Sequence, residues 1–124
     1  MARRTAAEHY SQAQETHALY VQIGGADSQS PGWAATLLFY TALQEVEAAL
    51  RHLNHPPSAN HTDRSQKIRA ALPVNLIAAY ENLEQVSKDA RYRGFKPSKS
   101  RLRMLELSLE VVRSEIRTIA PPPY

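Results

Sequence analysis

Apolar positions recur along most of this chain at alternating intervals of three and four, the period of an α-helix buried on one face. Ala6, Tyr10, Ala13, His17 and Tyr20 share a face, predicting helix 1 over about Arg3 to Ile23. Gly24 and Gly25 stop it, and Asp27 to Gly32 read as a turn-rich connection. The strongest stripe is Phe39, Leu43, Val46, Leu50 and Leu53, broadened by Leu38, Ala42 and Ala49. So wide an apolar arc predicts a central helix 2 over about Trp33 to Asn54. Opposite it, Tyr40, Gln44, Glu47 and Arg51 form a polar row, in which Glu47 can pair with Arg51 one turn on or share a buried hydrogen bond with Tyr40.

The prolines of His55-Pro56-Pro57 force a loop. Asn60 is a suitable N-cap for a short helix 3, with Asp63 in its first turn and Pro73 at its end. Helix 4 follows over about Val74 to Tyr92, with Ala79, Leu83, Val86 and Ala90 facing inward, until Gly94 and Pro97 break it. Ser98 or Ser100 caps helix 5, where Leu102, Leu105, Leu109, Val112, Ile116 and Ile119 make a seam within a bundle or between two copies. No segment alternates with period two. The prediction is all-α: an up-and-down four-helix bundle with an additional short helix, one domain over residues 1–119 and a Pro-rich tail over 120–124.

Composition narrows the classes of function. At 124 residues the chain suffices for one domain with its own core. It has no Cys, hence no disulfide framework and no thiolate metal site, which suits a cytoplasmic location. No apolar run has the roughly 20 residues of a membrane span, and Arg3 and Arg4 precede no apolar stretch of a secretory signal, so no membrane association is expected. The net charge of +3 hides a local excess: from Lys88 to Arg103, seven Lys and Arg face Asp89 alone, a net of +6. Lys88, Arg91, Arg93, Lys96, Lys99 and Arg101, with Tyr92 and Phe95 among them, are candidate nucleic-acid contacts, because phosphate needs cations and bases stack on rings.

Helix 2 reads Trp33-Ala-Ala-Thr-Leu-Leu-Phe39-Tyr40 and then Glu47-Ala-Ala-Leu50; after the Pro loop come His61-Thr-Asp-Arg64, Tyr80-Glu-Asn-Leu83 and Ser87-Lys-Asp-Ala-Arg91-Tyr92. In this order the segments resemble the HEPN superfamily, particularly its small stand-alone prokaryotic members, over roughly Trp33 to Ile119. The resemblance implies a homodimer, RNA as the molecule handled, metal-independent ribonuclease activity, and an antitoxin or other protein partner in a defence system. The family's hallmark is Arg, four to six residues, then His. Within Trp33 to Ile119 no pair keeps that interval: Arg51 precedes His52 directly, and His55 and His61 after three and nine residues. The local alternative is His61-x-x-Arg64. His61 is the candidate proton-transfer group and Arg64 the candidate cation for a phosphorane, at a helix start that favours anions. Read structurally, His61 packs the loop and Arg64 pairs with Glu47, Asp63 or Tyr92. His52, His55 and His61 straddle a helix end and a Pro loop with no nearby carboxylate except Asp63, and no phosphate loop is present, so neither metal nor cofactor is expected. The tail Pro121-Pro122-Pro123-Tyr124 predicts an extended free end of a kind that docks in aromatic grooves.

Overall fold

Each predicted stripe finds a helix, and side-chain caps open three of the five helices. The computed structural model of the chain describes residues 4–124. Its helices are α1 (Ala6–Gln22), α2 (Pro31–His52), α3 (His61–Ala71), α4 (Val74–Arg93) and α5 (Lys99–Ile119), with one 3-10 turn at Gly25–Asp27. Among the described residues there is no strand, and the fold is all-α: four long helices and one short.

Helix α1 starts at Ala6, the first residue of its apolar pattern, and Arg3, the expected start, lies outside the described residues. Thr5 and Glu8 form a reciprocal capping box, the Glu8 N–H donating to Thr5 Oγ1 (3.1 Å) and the Thr5 N–H to Glu8 Oε1 (3.2 Å). Helix α2 starts two residues before Trp33, because Pro31 suits the first helical position, where no N–H bond is lost. The Asn60 side chain accepts the Asp63 N–H (2.8 Å) to open α3, and Ser98 accepts the Arg101 N–H (3.1 Å) to open α5. Gly94 closes α4 in the left-handed conformation (φ 67°), and the Phe95 N–H turns back to the Asp89 carbonyl (3.1 Å).

Helix α2 runs through the middle. Leu38, Phe39, Ala42, Val46, Ala49 and Leu50 are fully buried. α1 covers one side with Ala13 and Tyr20, and α4 and α5 cover the others with Leu76, Tyr80, Leu83, Leu102, Leu105, Leu109 and Val112. The α5 seam therefore lies inside the bundle, except for Ile119, which is exposed.

Trp33, near the start of α2, is 67% exposed. Two expectations are corrected. Glu47 bonds neither Tyr40 nor Arg51: it is buried and accepts from Arg64 Nε (2.7 Å), while Tyr40 accepts from Arg91. A carboxylate without water needs a cation, and α3 brings one. Glu45, also buried, is met by Arg113 through Nε (3.0 and 3.2 Å to its two oxygens). The second is the tail, which folds back rather than extending freely. The Tyr124 ring meets Tyr10 edge-on (5.8 Å between centroids) and His52 (5.0 Å), and its hydroxyl donates to the Ala120 carbonyl (2.7 Å). Burial pushes that hydroxyl up to about 12. Among the described residues no helix is long and apolar enough to cross a membrane.

Candidate functional site

Phe39 organises one end of the bundle. Its ring is buried, with Tyr80 (5.6 Å), Tyr40 (5.6 Å) and His61 (6.1 Å) around it and the Arg91 guanidinium over it (5.8 Å). The sequence separates His61 from Arg91 by most of two helices, and the fold brings both to one ring.

His61 is the first residue of α3, with its side chain 47% exposed. Its Nδ1 lies 3.1 Å from Arg64 Nη1 and 3.5 Å from Glu84 Oε2. These neighbours demand opposite tautomers. Arg can only donate, so the Arg64 contact needs Nδ1 unprotonated and leaves the proton on Nε2. An ionised Glu84 can only accept, so it would hold a proton on Nδ1 and leave Nε2 free as a base. The hydrogen bond is to Arg64; Glu84 Oε2 is buried and has no hydrogen-bond partner. Burial lowers the His61 pKa, the Arg64 charge lowers it further, and Glu84 opposes both. Arg64 is itself only 12% exposed and committed to Glu47. It is therefore placed to hold Glu47 and set the His61 tautomer more than to grip a phosphate.

The basic strip is less uniform than its sequence. Lys88 faces Glu84 (3.8 Å), Arg93 faces Asp89 (3.8 Å), Lys99 pairs with Asp27, and Arg101 reaches Asn82 (3.4 Å). Glu84 and Asp27 lie outside the run of charges, so counting within it missed them. Arg91 has no carboxylate partner among the described residues. It donates to the Tyr40 hydroxyl (3.0 Å) and lies over the rings of Tyr40 (5.6 Å) and Tyr92 (5.1 Å). Lys96 has no ion-pair or hydrogen-bond partner among the described residues.

Arg91 and Lys96 line a cleft of about 540 Å³. Its α2 wall is Gln29 to Trp33 with Thr36, and its other wall is Ala90, Arg91 and Gly94 to Lys96. Trp33 is the site residue that sequence reasoning missed. The signal was present: Trp33 precedes Tyr40 by seven residues and Glu47 by fourteen, which puts it in the polar row of α2 and off the core stripe.

The other histidines are engaged elsewhere. His52 packs on Tyr124, and no three His, Asp or Glu side chains converge as a metal set among the described residues. The hallmark interval, absent from Trp33 to Ile119, is kept outside that segment by Arg4 and His9, with four residues between them. There His9 Nδ1 bonds Gln44 Oε1 (2.7 Å) at the contact of α1 with α2. Compared with known proteins, the chain matches no family model, no curated protein and no solved structure.

Proposed function

We propose that this protein is a HEPN-like RNA-handling component of a prokaryotic toxin–antitoxin or other defence system, engaging RNA at the Phe39 end of its bundle. One observation carries this reading. Arg91 belongs both to the cluster containing His61 and to the wall of the Trp33–Phe95 cleft, so a cation, a half-exposed imidazole and exposed aromatic rings share one surface. Phosphates are attracted by the cations, and bases by the rings.

Binding has more support here than cleavage. With Nδ1 accepting from Arg64, neutral His61 carries its proton on Nε2 and cannot take one there. Cleavage through His61 requires exchange of Arg64 for Glu84, giving an Nδ1–H held by the carboxylate and a basic Nε2 that could take the 2′-hydroxyl proton. Fluorescence anisotropy with labelled single-stranded RNA tests binding. It should weaken in Arg91→Ala and Lys96→Ala and fall as salt rises. Cleavage is tested beside His61→Ala and Arg64→Ala. Equal cleavage by all three proteins would remove the His61 site, and absence of RNA binding would remove the class.

A second reading, a bundle acting through homodimerisation or a protein partner, is favoured by the outer face of α5. Met104 (55%), Leu107 (67%) and Val111 (40%) follow one another there at spacings of three and four, all exposed. Light scattering on wild type and Leu107→Glu reads this: a dimer dispersed by the substitution supports association through that face, and a monomer in both discards the homodimer.

A further inference from the structure

We infer that the cleft between the start of α2 and the α4–α5 loop receives one unstacked base of a single-stranded RNA, against Trp33 and Phe95, with Lys96 and Arg91 on the adjoining phosphates. The inference rests on the RNA reading above and narrows it to a strand form and a site.

The argument begins with the rings. Trp33 is 67% exposed and Phe95 44% exposed, and both line the same concavity. Large rings left in water on a small domain mark a surface that something covers. The charge says what kind of group. No carboxylate lines the cleft, two cations do, and Lys96 is engaged by no other group among the described residues. The occupant is therefore anionic at its edge and flat and apolar at its centre. A nucleotide within a strand meets both conditions. The size selects further. About 540 Å³ falls within the range of small-ligand pockets, enough for one base with its sugar. In an A-form duplex the bases are stacked and hidden, so a duplex offers these rings nothing. Gln29 and Ser30 at the rim can each donate or accept, which gives no strong preference among base edges.

Trp33 is the only tryptophan in the chain, so fluorescence excited where the six tyrosines do not absorb reports on this cleft alone. The titrants are a mixed-sequence single-stranded RNA 12-mer, its duplex, and inorganic polyphosphate, which carries the charge without bases; the length is on the order of a single-strand site. The expected result is quenching by the single strand, with the duplex and polyphosphate binding weakly and leaving the signal nearly unchanged. Trp33→Ala should lower single-strand affinity about 5- to 150-fold, the equivalent of stacking one base on an aromatic side chain, and Trp33→Phe should restore much of it. Neither variant retains a tryptophan, so their RNA affinity is read by anisotropy of the labelled strand and their polyphosphate affinity, expected to stay unchanged, by calorimetry. Trp33 is exposed, so both variants should keep the fold, checked by circular dichroism. Equal quenching by polyphosphate and RNA would overturn the inference. So would anisotropy showing tight RNA binding that neither Trp33→Ala nor Phe95→Ala weakens; the RNA reading would then survive with its contacts elsewhere. If no RNA binds in either assay, both readings fall together.

Discussion

The Arg64–Glu47 pair gives the most direct test of how this end of the molecule is held. Both side chains are largely dry, at 12% and 5% exposure, and their contact is 2.7 Å. Replacing Arg64 with Met keeps an unbranched apolar stem but leaves the Glu47 carboxylate in the bundle without its cation. Removing one partner of a buried pair typically costs about 3–5 kcal/mol, a large share of a domain's stability. For 124 residues, about 4 °C in Tm accompanies each kcal/mol, so Arg64→Met should lower Tm by about 12–20 °C. Arg64→Met combined with Glu47→Met removes both charges and should recover most of that loss, because two well-packed apolar groups replace an ion pair at little net cost. Thermal unfolding followed by circular dichroism measures both. A drop below about 4 °C for the single variant, or a double variant as unstable as the single, would refute the claim that Arg64 is held chiefly by a buried charge. The single variant also removes a cation that lowers the His61 pKa, so the ring should titrate at higher pH in NMR.

Other outcomes follow from the same geometry. Glu84→Gln removes the one neighbour that raises the His61 pKa, so that ring should titrate at lower pH than in wild type, again by NMR. Burial lowers the pKa of His17 as well as His61, so each holds fewer protons folded than unfolded. Their contribution is fully present above the ordinary imidazole value of 6.5 and is lost as pH falls through the folded values; urea midpoints should therefore decline from pH 7.5 to 5.5, and less so in His17→Gln. Tyr124→Ala deletes the ring contacts with Tyr10 and His52, and should cost about 1 kcal/mol in urea unfolding and speed proteolysis of the tail.

The helices were legible because burial follows the three–four spacing of their apolar residues. Phe39, Val46 and Leu50 in α2 and Leu102 to Ile116 in α5 are where that rule puts them. Polar partnership was not legible to the same degree. Glu47 was one of three partners offered for Arg64, 17 residues away, and its row alone did not select it, while nothing in the sequence pointed to Arg113, 68 residues away, as the cation of Glu45. Local spacing contains no information about such distances. The basic strip reads as +6 from its own residues, but Asp27 and Glu84 reach into it from other elements. Prolines favour an extended tail, but a terminal ring that finds Tyr10 and His52 changes the outcome. At the site, His61 and Arg64 were identified as a pair from their helical spacing, while Glu84, whose oxygen competes for the same nitrogen, was not.

The turn after α4 shapes the cleft without taking part in most of the core packing. Gly94 has open space around its missing side chain, and its left-handed backbone sets the course of Phe95 and Lys96; of the residues from Gly94 to Ser98, only Pro97 is buried. A change in the length or chirality of this short link would move one jaw of the cleft while leaving the packed stripes of α2, α4 and α5 intact. Relatives that differ there should share stability but differ in what they grasp.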